Sequence, residues 1–503
     1  MFKIVPFLIL SISFIALAQD TIRTIQPDTV KYFKTYTIIE FKKEVNKLIQ
    51  DKNFLNANIG IIIKSLKDGE IFYSTNEEKL FIPASNLKLF TTAASLELLG
   101  SRYRFNTSLY TNGEISYSTI YGDLIIRGSG DPTFSGRFYN GDIFKTFDDW
   151  VDSLIDMGIT NIRGNIVGDD NLFDDTHYGI GWSRDYESYW YAAPSGSLSF
   201  NDNCVDITIF YNEFYDSVIV RHSPEVRGIN IINEVIPVSP GEASTNIDIY
   251  RERNSNKIKI FGTFSRTSDT LRTYASIYNP TQYTINVFKN RLESRGIKVI
   301  GYTVDIDDYN KIIDYDNATL LFSYHSPSLH EIVKVINKGS QNFYAEQLLR
   351  VLGAEKKGIG SIENGVSACK EWFSLVGLDP ECILMYDGSG LSHLNKVTPT
   401  QILNLLEIMY KSKNFPFFYN SLPIAGIDGT LSRRMKNTSA ENKIRAKTGF
   451  IAFARNLSGY AKTFDNEDVA FSILVNNFNV PVKLVENLQD NICNLIASIS
   501  RKE

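Results

Sequence analysis

Three short groups of residues have the types and spacing needed for acyl transfer at a carbonyl: Ser85-Asn86-Leu87-Lys88, Ser340-Gln341-Asn342 and Lys447-Thr448-Gly449. A serine hydroxyl attacks a carbonyl only when a neighbouring base takes its proton. Ser85 and Lys88 fall one turn apart at the start of a helix predicted over residues 85–99, so they share a face and lie within mutual reach. Lys88 can be the base if burial and a nearby cation strip its proton near neutral pH. The helix N-terminus adds backbone donors and a positive dipole where oxyanion charge develops. Lys447 and Thr448 can hold a carboxylate, Gly449 lets a peptide lie close to a strand edge, and the N–H of Phe450 can complete an oxyanion hole. Ser340 offers a proton-relay hydroxyl, and Asn342 an amide that orients the reacting carbonyl.

Taken singly, none of these groups is specific. Ser367-Ala368-Cys369-Lys370 repeats the first spacing in mid-helix, where a serine faces solvent or bonds back to its own backbone, and it is read as structural. Ser-x-Asn recurs at Ser74, Ser199 and Ser244, and Lys-Thr-Gly by itself is an ordinary hairpin corner. Order and context separate the three groups from chance: serine and lysine at a helix start, then Ser-x-Asn, then Lys-Thr-Gly on a C-terminal strand.

With these motifs in that order, the chain resembles the class C low-molecular-mass penicillin-binding proteins, a family of D-alanyl-D-alanine carboxypeptidases that also act as endopeptidases on peptidoglycan cross-links. The likeness extends over nearly the whole chain after residue 18. It includes Pro83-Ala84-Ser85, GDLIIRGSGDP at 122–132, NKGSQNFYAEQLLR at 337–350, DGSGL at 387–391 and GIDGTL at 426–431. The resemblance implies that Ser85 is the acylated nucleophile, Lys88 its base and Ser340 a catalytic hydroxyl. Asn342, Lys447, Thr448, Gly449 and Phe450 then bind substrate, with no metal or cofactor. Gln341 departs from the family, which often has Asp there; its side chain should point away from the nucleophile. The implied partners are peptidoglycan stem peptides and cross-links, with β-lactams as covalent inhibitors. A serine β-lactamase and a non-catalytic peptidoglycan-binding scaffold are the alternatives, and penicillin labelling separates all three: durable labelling lost in Ser85→Ala fits the carboxypeptidase, rapid turnover the lactamase and no labelling the scaffold.

The elements that must position these residues are legible as patterns. A helix and a hairpin with an Asp68-Gly69 turn precede Ser85, and short β-rich segments fill residues 103–301. Helical spacing returns at 281–295, 329–336, 342–352, 362–375 and 400–411. Strands at 443–446, 454–462 and 469–476 and a helix at 482–498 close the chain. The expected fold is therefore α/β (α+β): a transpeptidase-like domain with an antiparallel sheet flanked by helices, split by a long, mostly β insertion forming one or two extra domains. The likeness divides it into a catalytic domain from 19–103 and 315–503, an inserted domain II from 104–204 and 265–314, and an inserted domain III from 205–264.

Composition narrows the classes. The chain of 503 residues has 43% apolar residues and a net charge of −5 without charge runs, so it reads as a folded protein with no electrostatic footprint for nucleic acid. Lys3, the apolar run 4–17 and Ala16/Ala18 read as a secretory signal peptide spanning 1–18. The expected product is a periplasmic protein with no transmembrane span. Cys369 and Cys382 could bridge or remain buried thiols, and the five histidines lack metal-ligand spacing. The aromatic cluster Trp182, Tyr186, Tyr189, Trp190 and Tyr191 is read as inter-domain packing before sugar stacking.

Overall fold

Along β1 (Asn58–Ser65), Ile59, Ile61 and Ile63 point to one side and Ile62 to the other, and all four are buried. A strand apolar on both faces needs cover on both. The computed structural model describes residues 34–502, and the leader expected at 1–18 lies outside the described residues. β1 pairs with β2 (Ile71–Thr75) through the predicted hairpin, and β3 (Ile444–Ile451), β4 (Ala454–Lys462) and β5 (Asp468–Asn476) complete an antiparallel sheet in the order β2-β1-β5-β4-β3. The two ends of the chain thus build one sheet, with β3, which carries Lys447-Thr448-Gly449, at its edge.

Helices α1 (Ile38–Ile49), α2 (Lys88–Leu98), α3 (Leu329–Gly339), α4 (Asn342–Lys357), α5 (Ile362–Leu375), α6 (Pro399–Lys411) and α7 (Val482–Ile496) supply that cover. Phe41 and Val45 of α1 and Val485, Leu488, Ile492 and Ile496 of α7 form one core with Ile59, Ile61, Ile63, Phe471, Ile473 and Val475. Ile62, Ala470 and Leu474 turn to a second core with Leu89 and Phe90 of α2, Leu348 of α4 and Ile402 and Leu406 of α6. Each of these side chains larger than alanine contributes about 1.5–3 kcal/mol on full burial, so the two apolar layers outweigh helix propensity in fixing the site's frame.

Between the halves, Asn106–Thr111, Leu124–Arg127, Ile166–Asp169, Thr303–Asp305 and Thr319–His325 make a mixed five-stranded sheet. Cys204–Asn212 pairs with Ser217–Ser223 and Leu271–Ser276, while Lys257–Ser265 lies between Asn230–Val238 and Asn246–Arg251. A helix at Lys145–Asp156 was not expected from the β-rich texture around it. Phe147, Trp150, Val151 and Leu154 nevertheless stand at helical spacing and are buried. All four cysteines are free, so the bridge between Cys369 and Cys382 does not form; Cys369 is buried in α5, and the Cys382 thiol donates to Asp379 Oδ2 at 3.1 Å.

Arg350 of α4 is fully buried and ties the segment 174–195 to that helix. Its Nε donates to Ser195 Oγ at 3.0 Å, its Nη1 to Asp174 Oδ1 at 2.6 Å, and its Nη2 to the Thr176 carbonyl. Arg350→Met leaves these acceptors without their donor, at a cost of about 2–3 kcal/mol after allowing for the partial exposure of Asp174. The chemical-denaturation midpoint is expected to fall accordingly, and an unchanged midpoint would contradict this account of the joint.

Candidate active site

Ser85 lies in a tight 3₁₀ turn (Ala84–Leu87), and Lys88 is the first residue of α2, so the expected helix over 85–99 begins three residues late. In a 3₁₀ turn side chains three apart eclipse, which brings hydroxyl and amine closer than an α-turn would. Lys88 Nζ lies 2.9 Å from Ser85 Oγ, 2.6 Å from Asn342 Oδ1 and 2.7 Å from the Ser389 carbonyl oxygen.

The turn is held under strain. Ala84 has φ +47°, left-handed for a residue with a Cβ, and such backbone persists only where its surroundings over-determine it. Those surroundings come from the sheet. Asn456 Nδ2 donates to the Ile82 and Pro83 carbonyls at 2.9 and 2.7 Å, Ile82 N–H donates to Asn476 Oδ1 at 2.7 Å, and Asn86 Nδ2 donates to Ser458 Oγ at 2.8 Å. Gly449 presses against the same turn: a Cβ there would sit 2.7 Å from the Pro83 oxygen and 2.9 Å from Asn86 Oδ1. Gly449 is required by contact with the Ser85 turn, and not only by the approach of a peptide to the strand edge.

Ser340-Gln341-Asn342 is the joint between α3 and α4. Ser340 closes α3 in a left-handed conformation, φ +57°, and Asn342 opens α4. The reversal aims the three side chains apart. Ser340 Oγ accepts from Lys447 Nζ at 2.8 Å, Asn342 accepts from Lys88 and donates to the Tyr191 carbonyl at 2.7 Å, and Gln341 accepts from Arg137 at 3.1 and 3.2 Å. Gln341 thus faces a separate cleft lined by Arg137, Asp202 and Tyr274. On β3, Lys447 also donates to the Thr448 carbonyl at 2.7 Å, and Thr448 Oγ1 donates to Thr430 Oγ1 at 2.8 Å. Phe450 is 54% exposed, with the Arg455 guanidinium 4.9 Å from its ring centre, so its side chain forms surface beside the site and not core.

Electrostatics set the proton inventory. Lys88 is fully buried, and burial brings its amine down to about 7; the carboxylates of Asp387 and Glu346 oppose that fall. Of the two causes expected from sequence, burial does the lowering, and no neighbouring cation contributes to it. Lys447 is also fully buried and is held well below the ordinary lysine range by burial, with Lys88 and Arg455 adding to the effect.

Several residues around the site were not singled out from sequence. Asp387 accepts from the N–H groups of Gly390 and Ser392, from Asn395 Nδ2 and from Trp182 Nε1, at 2.6–2.8 Å. Trp182, Tyr186 and Tyr191 pack against Ala84, Leu391 and Ile451, so the aromatic cluster read as packing forms part of the site's surround. The DGSGL stretch pointed toward Asp387; nothing in the sequence pointed to Asn456, Asn476 or Ser458, whose partners lie hundreds of residues away. Among the described residues, Asp170, Asp305 and Asp307 also cluster within 4.8 Å; burial first, then its acidic neighbours, raises Asp170 to about 7.

Comparison with known proteins places this geometry among relatives. Residues 41–498 match the sequence profile of the D-Ala-D-Ala carboxypeptidase 3 (S13) family. The chain is 28% identical over 475 residues to a D-alanyl-D-alanine carboxypeptidase from an Actinomadura species, covering 90% of this chain and 84% of that protein. It is 26% identical over 428 residues to D-alanyl-D-alanine carboxypeptidase DacB from Haemophilus influenzae, covering 84% and 86% of the two chains. The fold matches the crystal structure of penicillin binding protein 4 from Haemophilus influenzae with a TM-score of 0.78 at 25% identity, over 90% of this chain and 99% of that one.

Proposed function

Because the chain belongs to the D-Ala-D-Ala carboxypeptidase 3 (S13) family and is a serine-type D-Ala-D-Ala carboxypeptidase, we propose that Ser85 is its acylated nucleophile and Lys88 the base that activates it. The observation that carries this assignment is a fully buried amine, brought down to about 7, lying 2.9 Å from the Ser85 hydroxyl. The neutral amine takes the Ser85 proton as Oγ attacks the carbonyl of the penultimate D-alanine. Asn342 orients both the amine and the substrate amide. The N–H groups of Ser85 and Phe450 receive the oxyanion, and Ser340, bonded to Lys447, passes the proton to the departing amine. D-Alanine leaves, and water then hydrolyses the ester at Ser85.

Lys447 lacks an acidic partner among its described hydrogen bonds, and the terminal carboxylate of the substrate is the counter-ion its burial calls for. Thr448 supports the same carboxylate. In endopeptidase action the leaving group is the side-chain-linked amine of a cross-bridge in place of free D-alanine. A β-lactam acylates Ser85 in the same way, and its leaving group stays tethered, which slows hydrolysis. A β-lactamase needs an added group to activate the deacylating water, and the two carboxylates whose charge acts on Lys88, Asp387 and Glu346, are both engaged by loop N–H groups.

Residues 104–204 with 265–314 and residues 205–264 form inserted domains II and III in this reading. The leader at 1–18 directs the chain to the periplasm, and among the described residues no helix is long and apolar enough to cross a membrane. Digestion of purified muropeptides followed by mass spectrometry tests the function. A pentapeptide monomer is expected to lose one alanine residue, and a cross-linked dimer to split into monomers. Intact pentapeptide would defeat the carboxypeptidase assignment, and intact dimer the endopeptidase one.

A further inference from the structure

Glu346 lies one turn beyond Asn342 on α4, is 1% exposed and has no cation within its described hydrogen bonds. Burying a carboxylate costs several kcal/mol unless its oxygens are satisfied. They are satisfied by one short segment. Gly388 N–H reaches Oε1 and Oε2 at 3.1 and 3.0 Å, and Ser389 N–H reaches Oε1 at 2.8 Å. The other face of that segment meets the catalytic pair. The Ser389 carbonyl lies 2.7 Å from Lys88 Nζ, and Thr91 Oγ1, one turn beyond Lys88, donates to the Gly388 carbonyl at 2.7 Å. Gly390, φ +85°, lies so close to the nucleophile turn that a Cβ would come within 1.9 Å of the Ala84 oxygen.

Resting on the assignment of Ser85 and Lys88 above, we propose that Glu346 is a positioning residue for the base: by gripping the 388–389 peptides it sets the Ser389 carbonyl against Lys88 and holds the amine on the Ser85 hydroxyl. The amine then has two fixed acceptors, Ser389 O and Asn342 Oδ1, one from the loop that Glu346 anchors and one from its own helix face. Glu346 also acts through charge. The charged groups facing it are Asp387 on the loop, Lys88 on α2 and Arg350 on α4; burial, then Asp387, raises Glu346 to about 7. Lys447 in turn feels the Lys88 charge. Glu346 and Lys88 therefore gain or lose protons over the same pH window, and an ionised Glu346 favours the protonated amine.

The test is the pH profile of Ser85 acylation by a fluorescent β-lactam, measured on the full chain as wild type, Glu346→Gln and Glu346→Asp. Glutamine keeps one acceptor oxygen but loses the charge and sets an NH₂ against a backbone N–H. The acid limb is expected to move to lower pH by about one pH unit and the plateau rate to fall about tenfold, with noncovalent affinity for the β-lactam retained. Aspartate restores the charge, so its limb returns toward the wild-type position while its rate stays reduced by the shorter reach. A limb that stays put in both variants, with rates that merely track the folded fraction read by circular dichroism, overturns the proposal. Unaltered rates in Glu346→Gln overturn it as well. Peptide mapping of the wild-type adduct keeps the two readings distinguishable: acylation at Ser85 with no Glu346 effect sinks only this inference, whereas an adduct elsewhere sinks the nucleophile assignment and this inference together.

Discussion

Ser85→Ala is expected to abolish covalent β-lactam labelling and to lower D-alanine release by about 10⁴-fold or more, the scale seen when an acyl-enzyme nucleophile is removed. The fold should be untouched. Ser85 is half-buried, its hydroxyl has Lys88 as its described partner, and Ala84, Asn86 and Leu87 hold the turn through backbone and neighbouring side chains. Alanine retains the Cβ, so the circular dichroism spectrum and melting temperature stay at wild-type values. Noncovalent binding of muropeptides should also persist, because Lys447, Thr448 and Asn342 keep their places. Gel fluorescence with a labelled penicillin and chromatography of released D-alanine read the two losses. A labelled Ser85→Ala protein would place the nucleophile elsewhere, and an unlabelled wild type would favour a binding scaffold.

How far sequence carried this site depended on the span of each interaction. Ser85 and Lys88 are three residues apart, and that spacing alone predicts contact once a helical turn is assumed. Ser340 and Lys447 are 107 residues apart, and only the order of motifs and the family likeness joined them; the 2.8 Å contact depends on α3 ending in a left-handed residue beside the sheet edge. Asn456, Asn476 and Ser458, which pin the Ser85 turn, were invisible because their role follows from the register of β4 on β5 and from no local pattern. Glu346 looked like one more polar residue on a helix, yet it stands four residues after Asn342 on the same face, and its partner loop enters from residues 388–389. The Lys145–Asp156 helix fails differently: its apolar spacing is plain in isolation but was outweighed by the Gly, Asn and Asp punctuation on either side.

The proposed base can be separated from the proposed nucleophile with Lys88→Met, which keeps the length and volume of the side chain and removes the amine. Asn342 Oδ1 and the Ser389 carbonyl lose a donor, but Asn342 remains tied to the Tyr191 carbonyl, and the 388–392 loop remains tied to Glu346 and Asp387. The cradle should therefore survive, and the change is expected to read as chemistry: acylation of Ser85 slower by about 10³-fold, within the range for loss of a positioned base. The pH dependence supplies the second half of the argument. Burial brings Lys88 to about 7, below the ordinary lysine value, so the active neutral form prevails above pH 7 and is lost as pH falls through it. Wild-type acylation should fall about tenfold per pH unit on the acid side, while the methionine variant should show a low, flat profile across the same window. A variant that kept the wild-type acid limb would assign that titration to another group, and the structure offers two: Glu346, raised to about 7 by its burial, and the buried amine of Lys447, bonded to Ser340 and disfavoured as a cation by its own burial.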